Sequence, residues 1–215
     1  MKEFLKKEFT TLIVLALPYI YLAFIWDKLP DQIPSHFNMA GDVDGYSSKY
    51  FFPLINIFLY LVLLLLPKID PKKVNYQLFS DSYNKLRFFL ISFFSAIITF
   101  VFIKTLNPGV GINRYFSILL LMLFLVIGNY LSTIKPNWFI GIRTPWTMSS
   151  DLVWRKTHYL TSKLWFFGSL LGIISVLLIN INYINLIVTP LIITMVIIPI
   201  IYSFVIFKKL YVKEQ

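Results

Sequence analysis

Six long apolar blocks, separated by polar segments, are the feature of this sequence that most constrains its fold. A helix needs about 20 apolar residues to cross a hydrocarbon core about 30 Å thick, so several of these blocks must extend into flanking residues. A chain in lipid must also satisfy its backbone hydrogen-bonding groups internally, as a helix does. We therefore predict an all-α membrane protein with about six transmembrane helices, in the blocks 9–26, 51–66, 88–103, 115–131, 164–179 and 183–207.

The basic residues predict how these helices are oriented. The chain carries 20 Lys and Arg against 10 Asp and Glu, a net charge of +10 that would also suit a nucleic-acid-binding protein. If the N-terminus is cytosolic, every basic residue falls on the cytosolic side except Lys28, Lys49, Lys104 and Arg114. Cytosolic loops of membrane proteins are enriched in Lys and Arg. This distribution therefore predicts that both termini are cytosolic, and it removes the case for direct nucleic-acid binding.

The apolar blocks contain hydroxyl and amide side chains such as Asn56, Ser95 and Ser169, but no Asp, Glu, Lys, Arg or His. Proton relays and ion-coupled transporters usually need ionisable groups at membrane depth, so the blocks disfavour such transport and favour hydrogen bonds between helices. The chain has no cysteine, which excludes disulfides and thiolate chemistry. Pro190 and Pro199 should each kink the last helix unless a neighbour bonds the carbonyl that they leave free.

The 27–50 segment, DKLPDQIPSHFNMAGDVDGYSSKY, lies on the predicted outer side of the membrane. Pro30 and Pro34 stiffen it and Gly41 and Gly45 permit tight turns, so we expect an ordered loop. Its imidazole and carboxylates are ligand types that zinc or calcium accepts, but their spacing matches no established metal motif. We predict no metal and favour carboxylates that cap turns. The residues concerned are Asp27, Asp31, His36, Asn38, Asp42 and Asp44.

The 136–163 segment, PNWFIGIRTPWTMSSDLVWRKTHYLTSK, lies on the predicted cytosolic side. Gly141 and Pro145 break the chain on either side of Arg143, whose guanidinium suits helix-end carbonyls, a partner carboxylate or a lipid phosphate. Ser149 or Ser150 is positioned to cap a helix that continues into the fifth span. That helix would carry Trp154, Arg155, Lys156, His158 and Tyr159.

The aromatic residues of the 136–163 segment have two interpretations. Trp138, Trp146 and Trp154 are typical of an aromatic belt at the membrane interface, but tryptophans beside basic side chains also suit a surface that meets another protein. His158 has no acidic neighbour nearer than Asp151, two helical turns away. We therefore interpret it as a satisfied interfacial histidine rather than a catalyst.

Both segments resemble a known family. The stretch IGIRTPWTMSSDLVWRKTHYLTSK resembles the signature of the SdpI family of membrane proteins, and LPDQIPSHFNMAGDVDGYSSK is similar to the domain of unknown function that commonly precedes it. The resemblance implies a multi-pass protein of the bacterial cytoplasmic membrane that gives resistance to a secreted antimicrobial peptide. It also implies, from the namesake system, a receptor that holds a cognate transcriptional repressor at the membrane while toxin is present.

The resemblance points to site residues in both segments. In the 136–163 segment it implies Gly141, Arg143, Thr144, Pro145, Trp146, Trp154 and Lys163. Beside them, the composition of the predicted helix makes Arg155, Lys156 and His158 candidate site residues. In the 27–50 segment it implies Leu29, Pro30, Ile33, Pro34, His36, Gly41, Gly45 and Lys49. The polar residues Asp31, Asn38 and Asp44 of the same loop are further candidates from the sequence itself. We expect residues 1–66 to hold the first two spans with the outer loop, residues 67–135 the next two, and residues 136–215 the signature with the last two.

Three functions remain open at this point. We favour an immunity or signalling protein that uses no cofactor and meets a cationic peptide toxin outside, a repressor in the cytosol and membrane lipid around it. The second is an enzyme of the membrane interface, with His36, Asp31, Asp42 and Asp44 as candidates, although no spacing of nucleophile and base appears. The third is a small-molecule transporter, which the uncharged blocks disfavour.

Overall fold

The computed structural model describes residues 2–38, 42–111 and 113–211, and the predicted turn residue Gly41 lies outside these ranges. Its helices are α1 Lys2–Ile25, α2 Phe51–Ile69, α3 Ser80–Leu106, α4 Asn113–Leu131, α5 Pro145–Ser149, α6 Asp151–Leu178 and α7 Ile184–Tyr211. Two strands, β1 Gln32–Phe37 and β2 Val43–Ser48, lie between α1 and α2. Short 3-10 turns cover Trp26–Lys28, Lys73–Phe79 and Ile181–Tyr183.

Six helices of the described ranges are long and apolar enough to cross a membrane, namely α1, α2, α3, α4, α6 and α7. Each predicted apolar block falls on one of them to within one residue at either end. The protein is therefore a multi-pass helical membrane protein, as predicted.

The start of α6 was also predicted correctly. Ser150 is the capping residue, and its side chain accepts a hydrogen bond from the backbone N–H of Val153. Asp151 lies in the first turn, where a carboxylate is favoured by the positive end of the helix. From there α6 runs without a break into the fifth span.

The structure divides into two compact units. The first contains Met1–Leu64 and Arg87–Phe116, and the second contains Leu65–Leu86 and Ser117–Gln215. The core of the first unit consists of Leu22, Ile25, Leu29, Ile33, Phe52, Ile98, Val101 and Phe102. Among the described residues of the second unit, one apolar cluster contains Tyr76, Phe79, Tyr83, Leu86, Leu131, Ile134 and Trp154, and another contains Leu121, Val176, Ile184 and Val188.

The 27–50 segment of the first unit forms an antiparallel β-hairpin, which the sequence did not predict. Gln32 pairs with Ser48 and Pro34 with Tyr46, and a bulge follows Pro34. A proline donates no ladder hydrogen bond and usually argues against a strand, but it is tolerated here because the sheet has two strands and both are edges. The apolar side chain of Ile33 is fully buried in the core of the first unit and holds the hairpin against the helices.

Two charged side chains of the first unit are buried in helices that extend beyond the uncharged apolar blocks. Glu8 in α1 and Arg87 in α3 are buried and form an ion pair, and Tyr60 of α2 donates to Glu8 over 3.2 Å. Both residues lie immediately before an apolar block in the sequence. Because α1 and α3 begin well before those blocks, both side chains enter the helical packing. The argument against transport rests on the apolar blocks, and this buried ion pair lies just outside them.

The last helix of the second unit continues through its prolines. Pro199 has no N–H, so it cannot bond the carbonyl of Met195 one turn earlier in α7. The indole Nε1 of Trp165 in α6 donates to that carbonyl over 2.7 Å. A neighbouring helix thus supplies the donor that Pro199 lacks, which is the condition under which a proline is tolerated in a membrane helix.

Candidate functional site

Lys49 fastens the ends of the 27–50 segment together. Its side chain is buried, and its Nζ donates to the carbonyl of Leu29 over 3.2 Å and pairs with Asp31 over 3.3 Å. The same ammonium lies 4.9 Å from the ring centroid of Trp26, within the range of a cation–π contact. The backbone N–H of Lys49 also donates to the carbonyl of Asp31. Lys49, and not the prolines alone, thus connects the described residues at the two ends of the segment.

His36 and Asp44 face each other across the hairpin. His36 Nδ1 and Asp44 Oδ1 are 2.5 Å apart, and their side chains are 72% and 44% exposed. Gly45 is the strand partner of His36, and a Cβ at Gly45 would lie 2.9 Å from the Cβ of His36. A side chain is therefore excluded at Gly45 by the close approach of the opposite strand.

Two hydrogen bonds join Asn38 and Asp42 on either side of the hairpin tip. Asn38 donates its N–H to the carbonyl of Asp42, and its Oδ1 accepts from the N–H of Asp42, both over 2.9 Å. Within residues 2–38, 42–111 and 113–211, no group of three His, Asp or Glu side chains is placed to hold a metal ion.

The exposed face of the hairpin is acidic. Asp27, Asp31, Asp42 and Asp44 are all exposed, whereas Lys28 is the one exposed lysine of the described part of the 27–50 segment and Lys49 is buried. The aromatic side chains of Tyr46 and Tyr50 are also more than half exposed. Of the other predicted residues, Pro30 is exposed, while Leu29 and Pro34 face the interior.

In the second unit, two side chains that the sequence did not single out shape the start of the 136–163 segment. Asn137 is fully buried, and its Oδ1 accepts from the N–H groups of Phe139 and Ile140 over 2.9 and 2.7 Å. Asp70 is also buried, and its Oδ2 accepts from the N–H of Trp138 and from the hydroxyl of Tyr76. A loop without regular structure thus has its backbone donors satisfied by side chains.

Gly141 and His158 lie in direct contact. Gly141 has φ +119°, and a Cβ there would lie 2.3 Å from Nε2 of His158. That nitrogen accepts from the N–H of Ile142 over 3.0 Å, and Nδ1 lies 2.8 Å from the carbonyl of Trp154. An acceptor at Nε2 and a carbonyl at Nδ1 require the neutral imidazole with its proton on Nδ1.

Trp154 and His158 are both buried, which corrects two interpretations. Their rings stack with centroids 4.1 Å apart, and the Trp154 indole donates to the carbonyl of Ile134 over 3.0 Å. Trp154 is therefore not part of an interfacial belt, whereas Trp138 is about half exposed. His158 is satisfied, as predicted, but by backbone groups in the interior and not at the interface. Both side chains point inward because they lie four residues apart on one face of α6.

The TPWT turn is fixed to α7. Thr144 caps α5, its hydroxyl accepting from the N–H of Thr147, and Pro145 occupies the first turn. Thr144 Oγ1 lies 3.0 Å from Oγ of Ser203 in α7, and the Trp146 ring lies 4.9 Å from that of Phe204. These contacts join the beginning of the signature to the last helix.

Four predicted basic residues do not belong to this buried network. Arg143, Arg155, Lys156 and Lys163 are exposed, and Lys163 Nζ lies 4.3 Å from the ring centroid of Tyr159. Among the residues that the structure describes, the guanidinium of Arg143 forms no hydrogen bond or ion pair. It stands on the exposed side of a turn whose other side is held rigidly, so it is available to a partner.

Comparisons with known proteins confirm the predicted resemblance. Residues 133–203 match the SdpI/YfhL protein family, and residues 13–65 match a domain of unknown function, DUF1648. The chain is similar to "Immunity protein SdpI" of Bacillus subtilis (strain 168), with 25% identity over 162 residues, which are 74% of this chain and 76% of that protein. No solved structure matches the chain with significance. The SdpI/YfhL match covers the residues from Ile134 to Ser203 whose buried contacts are described above, and the DUF1648 match covers the hairpin.

Proposed function

Because this chain is a multi-pass membrane protein with an SdpI/YfhL family segment behind a DUF1648 segment, we propose that it is an immunity protein that protects a bacterium from a secreted peptide toxin. The similarity to an immunity protein over three quarters of the chain supports this activity. The observation that carries the proposal is the hairpin, whose described residues form an acidic surface on a segment that the charge distribution predicts to be outside the cell.

In this proposal the hairpin meets the toxin first. Its exposed carboxylates attract a cationic peptide, and attraction of this kind raises the rate of encounter more than the final affinity. Tyr46 and Tyr50 then offer apolar ring surface beside those carboxylates. Because Lys49 holds the segment in one conformation, little conformational entropy is lost when the peptide binds.

We further propose that the 136–163 segment is the cytosolic contact for a repressor. Its support is the exposed guanidinium of Arg143 on a turn held by Thr144 and Ser203. An arginine with free donors forms bidentate bonds with a carboxylate, so an acidic surface on the repressor would fit. In the host, a DNA-binding protein should co-purify with the wild type and with Arg155→Ala, but not with Arg143→Ala.

Binding to the purified protein tests the toxin step. The wild type in lipid nanodiscs is titrated with a cationic, hydrophobic peptide of the sporulation-delaying type, at low and at high salt. Asp27→Asn with Asp42→Asn should slow association several-fold at low salt, and high salt should remove the difference. Asp81→Asn, which removes an exposed carboxylate elsewhere, should leave association unchanged. Equal association rates for all three proteins would contradict a role for the hairpin charge.

A further inference from the structure

A group of buried polar side chains lies between α1, α2 and α3 of the first unit, and we call it the polar seam. Its members are Glu8, Thr11, Asn56, Tyr60, Arg87 and Ser95, each at most 6% exposed. The proposed immunity function makes no use of them. Polar groups at membrane depth are costly and usually mark a function, so the seam calls for a physical explanation.

The first layer of the seam is the ion pair of Glu8 and Arg87. Glu8 accepts from Arg87 Nη2 through one oxygen and from the Tyr60 hydroxyl through the other. Arg87 Nε is also buried, and it has no hydrogen-bond partner among the described residues. The two opposite charges of this layer balance each other, but the Nε donor of the guanidinium has no acceptor among the described residues.

The second layer is formed by Asn56 and Ser95. Asn56 Nδ2 donates to Ser95 Oγ over 2.8 Å, while Asn56 Oδ1 is buried and lacks a partner within the described ranges. Exchanging the amide oxygen and nitrogen would leave the other end unpaired instead, so one end of this amide needs a partner in either orientation. Thr11, one turn from Glu8 on α1, is buried as well.

The two layers are one helical turn apart on α2, whereas Arg87 and Ser95 are eight residues, or about two turns, apart on α3. Asn56 and Tyr60 are four residues apart on the same face of α2, which separates them by about 6 Å along the axis. On α3, the fully buried Ile91 lies between Arg87 and Ser95 and fills that side of the gap.

We propose that the polar seam is an internal water-binding site. A water molecule both donates and accepts hydrogen bonds. Water can therefore accept from Arg87 Nε and donate to Asn56 Oδ1, and buried waters typically bond to otherwise unpaired polar groups of this kind. An ion is disfavoured because Glu8 and Arg87 already neutralise each other. A larger organic ligand is disfavoured because Phe52, Ile98 and Phe102 close the adjoining core.

Radiolytic labelling tests the proposal, because hydroxyl radicals formed from a bound water mark the side chains beside it. The full chain in nanodiscs is irradiated in 18O-enriched water, and incorporation is measured by mass spectrometry at Tyr60 and at Phe102. Phe102 is the reference because it is fully buried in the apolar core of the same unit. We expect Tyr60 to be labelled several-fold faster than Phe102.

Variants show whether the seam itself holds the water. Glu8→Met with Arg87→Met, combined with Asn56→Leu and Ser95→Ala, should lower labelling of Tyr60 to the level of Phe102. Thr194→Val removes a hydroxyl in α7 that bonds within its own helix, and it should change nothing. Wild-type labelling of Tyr60 as slow as that of Phe102 would overturn the proposal even if the variants do not fold. Unchanged labelling in a folded quadruple variant would overturn it as well, since the water would then not depend on the seam.

Discussion

Gly141 lies against the imidazole of His158, in the place where any other residue would put its Cβ within 2.3 Å of Nε2. The two residues are separated by a short helix and a cap, yet they form one structural element of the signature. The positive φ of Gly141 turns the chain so that the N–H of Ile142 reaches the same nitrogen. The GIRT part of the signature is thus explained by a backbone that must approach a side chain closely.

Gly141→Ala should therefore destabilise the second unit. The substitution places a side chain in a strained backbone conformation, at about 1–3 kcal/mol, and displaces His158 from the N–H of Ile142. A markedly lower unfolding midpoint in detergent should be measured for Gly141→Ala. Gly109→Ala is the matched control, because a Cβ at Gly109 meets no atom within 4 Å. Equal midpoints for both variants would contradict this account of the glycine.

Trp165 and Pro199 should show energetic coupling. Trp165→Phe leaves the carbonyl of Met195 without a donor, and an unsatisfied buried group costs about 1–3 kcal/mol. In a Pro199→Ala background the backbone N–H of residue 199 is restored, so Trp165→Phe should then cost much less. A double-mutant cycle of unfolding free energies measures this coupling. Additive effects would show that the indole does not replace the missing donor.

Lys49→Met should loosen the hairpin without unfolding the helices. It removes the donor to Leu29 and the partner of Asp31, while the alkyl part of the side chain is kept. Hydrogen exchange of residues 29–50 should accelerate, with local protection lowered by about 1–3 kcal/mol, while α3 and α6 stay protected. Lys28→Met, at an exposed lysine of the same segment, is the control. If both variants exchange alike, Lys49 is not the fastening residue.

The elements that could be predicted from the sequence are those encoded by neighbouring residues. The lengths of the apolar runs predicted the six spans, and Ser150, just before Asp151, predicted the start of α6. His158 was expected to be satisfied because no nearby acid could orient it for catalysis, and it is. Each of these inferences depends on residues that lie within a stretch of sequence no longer than about one helix.

The parts that escaped prediction depend on partners far apart in the sequence. Asp70 bonds the N–H of Trp138, and Glu8 pairs with Arg87, yet no local pattern distinguishes these carboxylates from surface ones. The hairpin was missed because its stability comes from Ile33 in a helical core and from Lys49, not from strand-like alternation. Asn137, which follows Pro136, indicates a turn only weakly, because asparagine side chains often form hydrogen bonds with their own backbone.

Survival of a toxin-sensitive bacterium that expresses this protein tests the account most directly. Cells are challenged with a panel of sporulation-delaying-type peptides, and membrane levels of each variant are matched by immunoblot. The account predicts that the wild type and Asp81→Asn protect against at least one peptide, and that Asp27→Asn with Asp42→Asn protects less. Absence of protection by the wild type against every peptide would contradict the proposed immunity function, and full protection by the double variant would contradict the role of the hairpin.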